Sequence, residues 1–429
     1  MSLRTALFWT HLAAGITAGI VVFIMSFTGA ALSLQPQILA WAEHDLRTVA
    51  PPSPDAARLG PEALIARVRQ HRPGATVTGL TREFGASQAA AVTLSNGEAA
   101  PQPGPAQQTT IYVNPYSGDI VGQVDPASPW RRFFRINTDW HRYLSLAGES
   151  RTTGRWITGV SNALFLFLGI SGLILWVPRV WTSAAVRAVL FFRGGLSGKA
   201  RDFNWHNVIG AWSGAVLIVL TFTALGISFP KTYDVIYSVT GIERPPAPQG
   251  AQAAAPRGGQ RSGAREEGPR SGSREDGRSG GREAAAPPAI AGLDRLWLEA
   301  EAKLPTWRSI AMRLPARSGQ PVIFTINDRE RLNPMARSTL TMDAATGAIV
   351  RWEPYESLMT GQRLRTWMRF GHTGELWGLP GQVVAGLASA GGCVLVYTGL
   401  ALALRRLAAW RGRRCKQASR GPARERPAA

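Results

Sequence analysis

Four stretches of this sequence carry no Asp, Glu, Lys or Arg and run from about Ala6 to Leu34, Trp156 to Val177, Trp205 to Phe229 and Val383 to Leu404. Each reaches the roughly 20 apolar residues that cross a bilayer. Backbone inside lipid must satisfy its own hydrogen bonds, so each stretch is expected to be a helix. Only 18% of the 429 residues are charged, against about 25% in ordinary soluble domains. A single water-soluble domain is thereby excluded. The first stretch follows Arg4 as a signal peptide would, but its apolar core is too long and Gln35-Pro36 is a poor cleavage site, so it reads as a retained helix.

Basic residues in short flanks set the orientation. Arg179, Arg187, Arg193, Lys199 and Arg201 lie between the second and third spans, and Arg405, Arg406, Arg411, Arg413, Arg414 and Lys416 follow the fourth. Both regions are expected in the cytoplasm with the two termini, which places the two long connections outside. The net charge of +20 is then topology signal and not a nucleic-acid footprint. Seven Arg and five acids alternate between Arg257 and Glu283 in a Gly/Ser/Pro-rich tract, where the charge rule has little force; 245–288 reads as a disordered linker. Cys393 and Cys415 form neither CxxC nor CxxCH, so no disulfide framework and no covalently attached c-type haem is expected.

The chain repeats itself. His11 is followed by Gly15, Gly19, Phe27 and Thr28; His206 is followed by Gly210, Gly214, Phe222 and Thr223 at the same offsets. Gly154, Gly159 and Gly172 match Gly381, Gly386 and Gly399 in the second and fourth spans. Between spans, 109–124 parallels 338–353, each reading as a β-hairpin with its turn at Ser117-Gly118 or Thr346-Gly347. An amphipathic helix precedes each hairpin, 61–73 and 294–305. The fold class expected is a helical membrane protein whose four spans form a parallel duplication of helix, small α+β outer domain and helix. The boundaries read as 1–35 for the first span, 36–150 for the first outer domain, 151–178 for the second span and 179–202 for the inner loop. The third span follows at 203–230, the second outer domain at 231–370, the fourth span at 371–405 and a basic tail at 406–429.

Four of the six histidines occupy matching places. His11 and His206 begin the first and third spans; His141 and His372 precede the second and fourth. An ionisable group in a span is rare and usually functional. A lone buried His is as readily structural, but two pairs at two depths, related by the repeat, make the axial ligand set of a b-type haem. Gly15, Gly19, Gly210 and Gly214 offer a strip without Cβ atoms against which a flat macrocycle could lie, although close helix packing uses the same pattern. Zinc would need further Cys, His or carboxylate ligands, and no Cys or acid shares the apolar helices of His11 or His206. Arg131, Arg132, Arg135 and Arg142 near the outer pair, Arg365 and Arg369 in the second copy, and Arg201 near the inner pair could meet propionates or simply snorkel. His44 and His71 have no counterparts and read as solvated.

WTHLAAG (9–15), DWHRYL (139–144), NWHN (204–207) and GHTGE (371–375), in this order, resemble the PepSY-associated transmembrane family across nearly the whole chain apart from the Arg/Gly-rich linker and the tail. The resemblance implies that the outer domains are PepSY-like and that the chain sits in a bacterial inner membrane. It implies haem b, two copies, on His11 with His206 and His141 with His372, and electron transfer to a ferric siderophore or other ferric chelate. The enzyme class implied is a haem-dependent ferric-chelate oxidoreductase. No GxGxxG or P-loop is present, so the electron source is expected to be separate, a quinol or a cytoplasmic flavoprotein. Membrane lipid is the remaining expected partner, and nucleic acid is not one. The alternative is a membrane-anchored PepSY binding or regulatory module without redox activity. A transporter is disfavoured because no span contains a carboxylate.

Overall fold

The computed structural model describes residues 2–96, 108–178, 180–229, 231–243, 292–317, 319–330 and 336–419. The expected linker 245–288 and Arg179 lie outside these. The first half comprises α1 (Leu3–Leu32), α2 (Gln35–Ala42), α3 (His44–Arg47), α4 (Pro61–His71), β1 (Ala75–Glu83), β2 (Ala90–Asn96), β3 (Gln108–Val113), β4 (Ile120–Gln123), α5 (Pro129–Tyr143) and α6 (Ser150–Trp176). After α7 (Ser183–Leu190) come α8 (Gly198–Ser228), α9 (Lys231–Thr240), α10 (Leu293–Lys303), β5 (Trp307–Arg313), β6 (Val322–Asp328), β7 (Arg337–Met342), β8 (Ile349–Glu353), α11 (Thr360–Thr373) and α12 (Gly378–Ser419).

Helices α1, α6, α8 and α12 are long and apolar enough to cross a membrane. Each of α1 and α8 packs on both α6 and α12, so α1 and α8 occupy opposite corners of a four-helix bundle. Small residues line the contacts, as they do where lipid provides no hydrophobic drive and helices must approach closely. Buried Ser171, Ser213, Thr221 and Thr398 each donate to the carbonyl one turn earlier on their own helix, at 2.6–2.7 Å. Exposed Trp9, Trp205 and Trp212 at one end and Trp130, Trp140, Trp156 and Trp377 at the other form two aromatic belts.

Strands and helices outside the bundle build one eight-stranded antiparallel sheet in the order β4-β3-β2-β1-β5-β6-β7-β8. The two outer regions, separate domains in the sequence reading, are thus joined edge to edge. Gly79 to Glu83 of β1 pair with Arg313 back to Ser309 of β5. Both expected hairpins form, and their turns need glycine because Gly118 and Gly347 have φ of +78° and +73°. Helices α4 and α10 cover one face. Leu64, Ile65 and Val68 of α4 and Leu296, Trp297 and Ala300 of α10 pack on Leu80, Val92, Ile111, Ile310, Phe324 and Leu340. Asp294 of α10 accepts from the backbone N–H of Glu62 at 2.8 Å, so the second half helps cap α4 of the first.

The opposite face is rich in hydroxyl side chains. One cross-strand row reads Tyr112, Ala91, Thr81, Ala311, Thr325, Thr339, Glu353. Two corners of this face reach the bundle. The Arg47 guanidinium lies 5.9 Å from the Tyr112 ring centre, and Glu43 joins Arg47 at 2.6 Å to Arg131 of α5 at 2.5 Å. At the other corner Arg337 lies 6.0 Å from the ring of Phe370 on α11. The hydroxyl face is therefore turned toward the bundle.

The spans run further than their hydropathy indicated. Helix α12 continues well into the expected tail, and α8 begins at Gly198. A carboxylate, Asp202, therefore does share the helix of His206, one turn before it, which corrects the expectation that none does. Asp202 is 1% exposed and paired with Arg201 at 2.9 Å and Arg405 of α12 at 3.0 Å. The polar turn of α8 escaped a hydropathy reading because its buried carboxylate is matched by Arg201 and Arg405, the second from another helix.

Candidate functional site

His141 and His372 lie in the last turns of α5 and α11, two short helices at the sheet end of the bundle, and their rings face each other. The ring centroids are 6.2 Å apart with planes at 45°. A metal–nitrogen bond of about 2.0 Å, with the ring centre about 1.2 Å beyond, would let one ion between the rings bind both at a centroid separation of about 6.4 Å. His11 and His206 lie toward the far end on the diagonal helices α1 and α8, within electrostatic reach of each other. Helix α1 needs 17 residues to go from His11 to Thr28, which touches His141, and α8 needs 14 from His206 to Leu220, which touches His372. At 1.5 Å per residue the two levels are about 21–26 Å apart.

The hydrogen bonds fix which ring nitrogen carries the proton. His11 Nδ1 meets Ser171 Oγ at 2.8 Å, His206 Nδ1 meets Thr398 Oγ1 at 2.9 Å, and His141 Nδ1 meets Thr28 Oγ1 at 3.0 Å. Each hydroxyl already donates to a carbonyl one turn earlier, Phe167, Val394 or Ile24, at 2.6–2.7 Å. With that proton committed, the hydroxyl can only accept from Nδ1–H. His372 Nδ1 meets the carbonyl of Leu220 at 2.9 Å, which can do nothing but accept. All four imidazoles therefore hold a proton on Nδ1 and leave the Nε2 lone pair bare, as metal-bound histidines do.

Glycines seat three of the rings. A Cβ at Gly172 of α6 would meet His11 Cε1 at 3.4 Å, one at Gly399 of α12 would meet His206 Cε1 at 3.4 Å, and one at Gly29 of α1 would meet His141 Cε1 at 3.2 Å. Gly172 and Gly399 stood out in the sequence only as matched positions; neither they nor Ser171, Thr398 and Thr28 were legible as histidine partners. Gly15, Gly19, Gly210 and Gly214 lie instead beside leucines. The space a Cβ would take borders Leu168, Leu400, Leu395 and Leu173 at 3.1–3.8 Å, so their immediate effect is close helix packing.

The arginines divide. Arg131 is held by Glu43. Arg142 stacks on Tyr143, its guanidinium carbon 5.3 Å from the ring centre. Arg365 and Arg369 lie over Tyr233 and Phe370, and Arg201 is held by Asp202. Arg135 lines an open cleft beside α5. His44 and His71 are exposed and apart from both pairs. Among the described residues no three or more His, Cys, Asp or Glu converge as a metal site. Paired imidazoles with bare Nε2 atoms suit an ion that brings its own equatorial ligands.

Four membrane-length helices beneath a mixed helix–sheet domain define a multi-pass helical membrane protein. The chain belongs to the PepSY-associated transmembrane family: the family model, described as the PepSY-associated TM region, matches residues 8–406, a span that holds all four paired histidines. A search of the curated proteins gives no match.

Proposed function

We propose that the chain is an inner-membrane b-type haem protein, built by parallel duplication, that carries electrons outward to reduce a ferric siderophore or other ferric chelate. The observation that carries this reading is the hydrogen bond made by Nδ1 of each of His11, His206, His141 and His372, which favours a free Nε2, with His141 and His372 at a spacing suited to one ion. Haem bound at these pairs would supply reversible one-electron chemistry, with its potential tuned by axial ligands and burial. The chain's own residues orient the ligands: Ser171 and Thr398 steer the inner imidazoles, and Thr28 and the Leu220 carbonyl steer the outer ones. A quinol oxidised to quinone with release of two protons, or a reduced flavoprotein, would furnish two electrons for two ferric ions in turn. Fe(II) is held less tightly than Fe(III) by hard oxygen donors, so reduction releases the metal with the chelator intact. The arginine-rich loop and tail favour a cytoplasmic location for both termini.

Absorption spectra of the detergent-purified protein test this directly. Low-spin b-type bands are expected on reduction, and His141→Ala or His206→Ala is expected to remove about half of the haem. Reduced protein mixed with a ferric chelate and a ferrous trap is expected to form trapped Fe(II). Protein without haem sinks the reading altogether, and haem that cannot reduce any chelate sinks the reductase.

A further inference from the structure

A cleft of ≈ 330 Å³ opens at the sheet end of the bundle, between α2, α5 and the first turn of α6. Its walls include Gln35, Arg131, Arg135, Thr138, Asp139 and Arg151. Arg131, Thr138 and His141 fall on one face of α5, so this wall runs along the helix to within a turn of the histidine. The other face of α5 exposes Phe133, Ile136 and Trp140, which suits lipid. The amphipathic helix thus separates an apolar outside from a cationic cleft.

Three arginines in the wall face one aspartate. Arg131 is neutralised by Glu43 at 2.5 Å, and Arg151 is held by Asp139 at 3.4 Å. Arg135 forms no ion pair among the described residues and is exposed. Its planar fork matches a carboxylate or catecholate in two parallel hydrogen bonds. The volume is at the low end of small-ligand pockets, about 300–1,000 Å³, and fits a compact chelate or one arm of a larger one. The hydroxyl-rich face of the sheet turns toward the same end of the bundle.

We propose that this cleft receives anionic, oxygen-rich ferric chelates through Arg135 and Arg151 and prefers them to cationic chelates. That the ligand is ferric rests on the redox reading above; that it is an anion rests on the cleft alone.

Equilibrium dialysis of the full chain in phosphatidylcholine nanodiscs tests the proposal, with ferric citrate as the anionic probe and ferrioxamine B as the cationic one. Unmodified protein is expected to bind ferric citrate more tightly, and less so as salt is raised. Arg135→Gln is expected to weaken ferric citrate binding about tenfold or more, the loss of one charge-assisted hydrogen bond, while Arg135→Lys keeps part of it. Arg151→Gln should weaken it as well. Equal affinity for the two probes, or ferric citrate binding unchanged in both glutamine variants, overturns the proposal. Haem spectra of the same samples separate the two readings: arginine-dependent binding without haem leaves the cleft and removes the reductase, whereas haem with arginine-independent binding does the reverse.

Discussion

Replacing Thr398 with valine removes one acceptor and little else. The side chain is fully buried, its hydroxyl accepts from His206 Nδ1–H at 2.9 Å, and its own proton goes to the Val394 carbonyl at 2.7 Å. That carbonyl keeps its helical partner, so valine takes the hydroxyl acceptor from the Nδ1–H of a part-buried imidazole and leaves it the Leu395 carbonyl as its alternative. A buried donor wholly without a partner costs about 1–3 kcal/mol, a factor of roughly 5–150 in an equilibrium constant, and the alternative carbonyl keeps the loss toward the low end. Changes to the groups that orient metal-bound histidines typically cost about 10–100-fold in metal affinity. With haem bound as proposed, the variant is therefore expected to lose it about five- to tenfold faster to excess apomyoglobin, from the His206 site alone. Thr17→Val is the control, because Thr17 is exposed on α1 and bonds only Ala13 of its own helix, at 2.9 Å. Haem retention by Thr398→Val equal to that of the unmodified protein, in a sample that binds haem and melts normally, would refute the tautomer argument.

Gly154 packs its α-carbon directly on the Tyr143 carbonyl where α5 turns into α6, and Gly154→Val is expected to lower expression and melting temperature by opening that corner. Removing Arg405 leaves buried Asp202 with Arg201 only; Arg405→Gln should cost about 1–2 kcal/mol in thermal or denaturant unfolding, less than a fully buried pair because both arginines are partly exposed. Burial pushes the Glu43 carboxyl up, but the Arg131 and Arg47 guanidiniums more than reverse this and hold it below its ordinary 4.5. A depressed folded pKa gives stability that is present above 4.5 and lost as pH falls through the folded value. Melting temperature should therefore drop below pH 4.5, and less steeply in Glu43→Gln; an identical acid limb in the variant would contradict the assignment.

The spans, the hairpin turns and the approach of His141 to His372 were legible because each rests on local pattern: hydropathy over a bilayer length, glycine at positive φ, identical offsets. Strands β1, β2, β5 and β6 were not, since Thr and Ala in β1 and β2, and apolar residues on both faces of β5 and β6 (Ala311, Ile323), mute the period-two alternation. Asp202 was missed because its charge is cancelled by Arg405, some 200 residues away in sequence. The hydroxyl partners of the histidines were missed for a related reason. Ser171 and Thr398 look like ordinary small residues of helix contacts, and only their distance from a ring on another helix distinguishes them.

The joined sheet bears on His141 and His372 in particular. His141 and His372 are not on the spans but on α5 and α11, and a short helix at a membrane surface has little of its own to fix its position. Each is held twice. Below, Nδ1 ties His141 to α1 and His372 to α8. Above, the Arg131–Glu43–Arg47–Tyr112 chain anchors α5 to β3, and Arg337 against Phe370 anchors α11 to β7. Two independent domains would let these upper anchors drift apart. The β1–β5 ladder, with strands on both sides in register, makes them corners of one body. A ring separation of 6.2 Å is useful to a shared ion only if it is kept to within a few tenths of an ångström. The sheet is therefore better understood as a brace across the two halves than as a pair of appended modules. Proline at Ala311, which would interrupt the seam and leave the spans alone, should loosen the His141–His372 pair without touching His11 and His206.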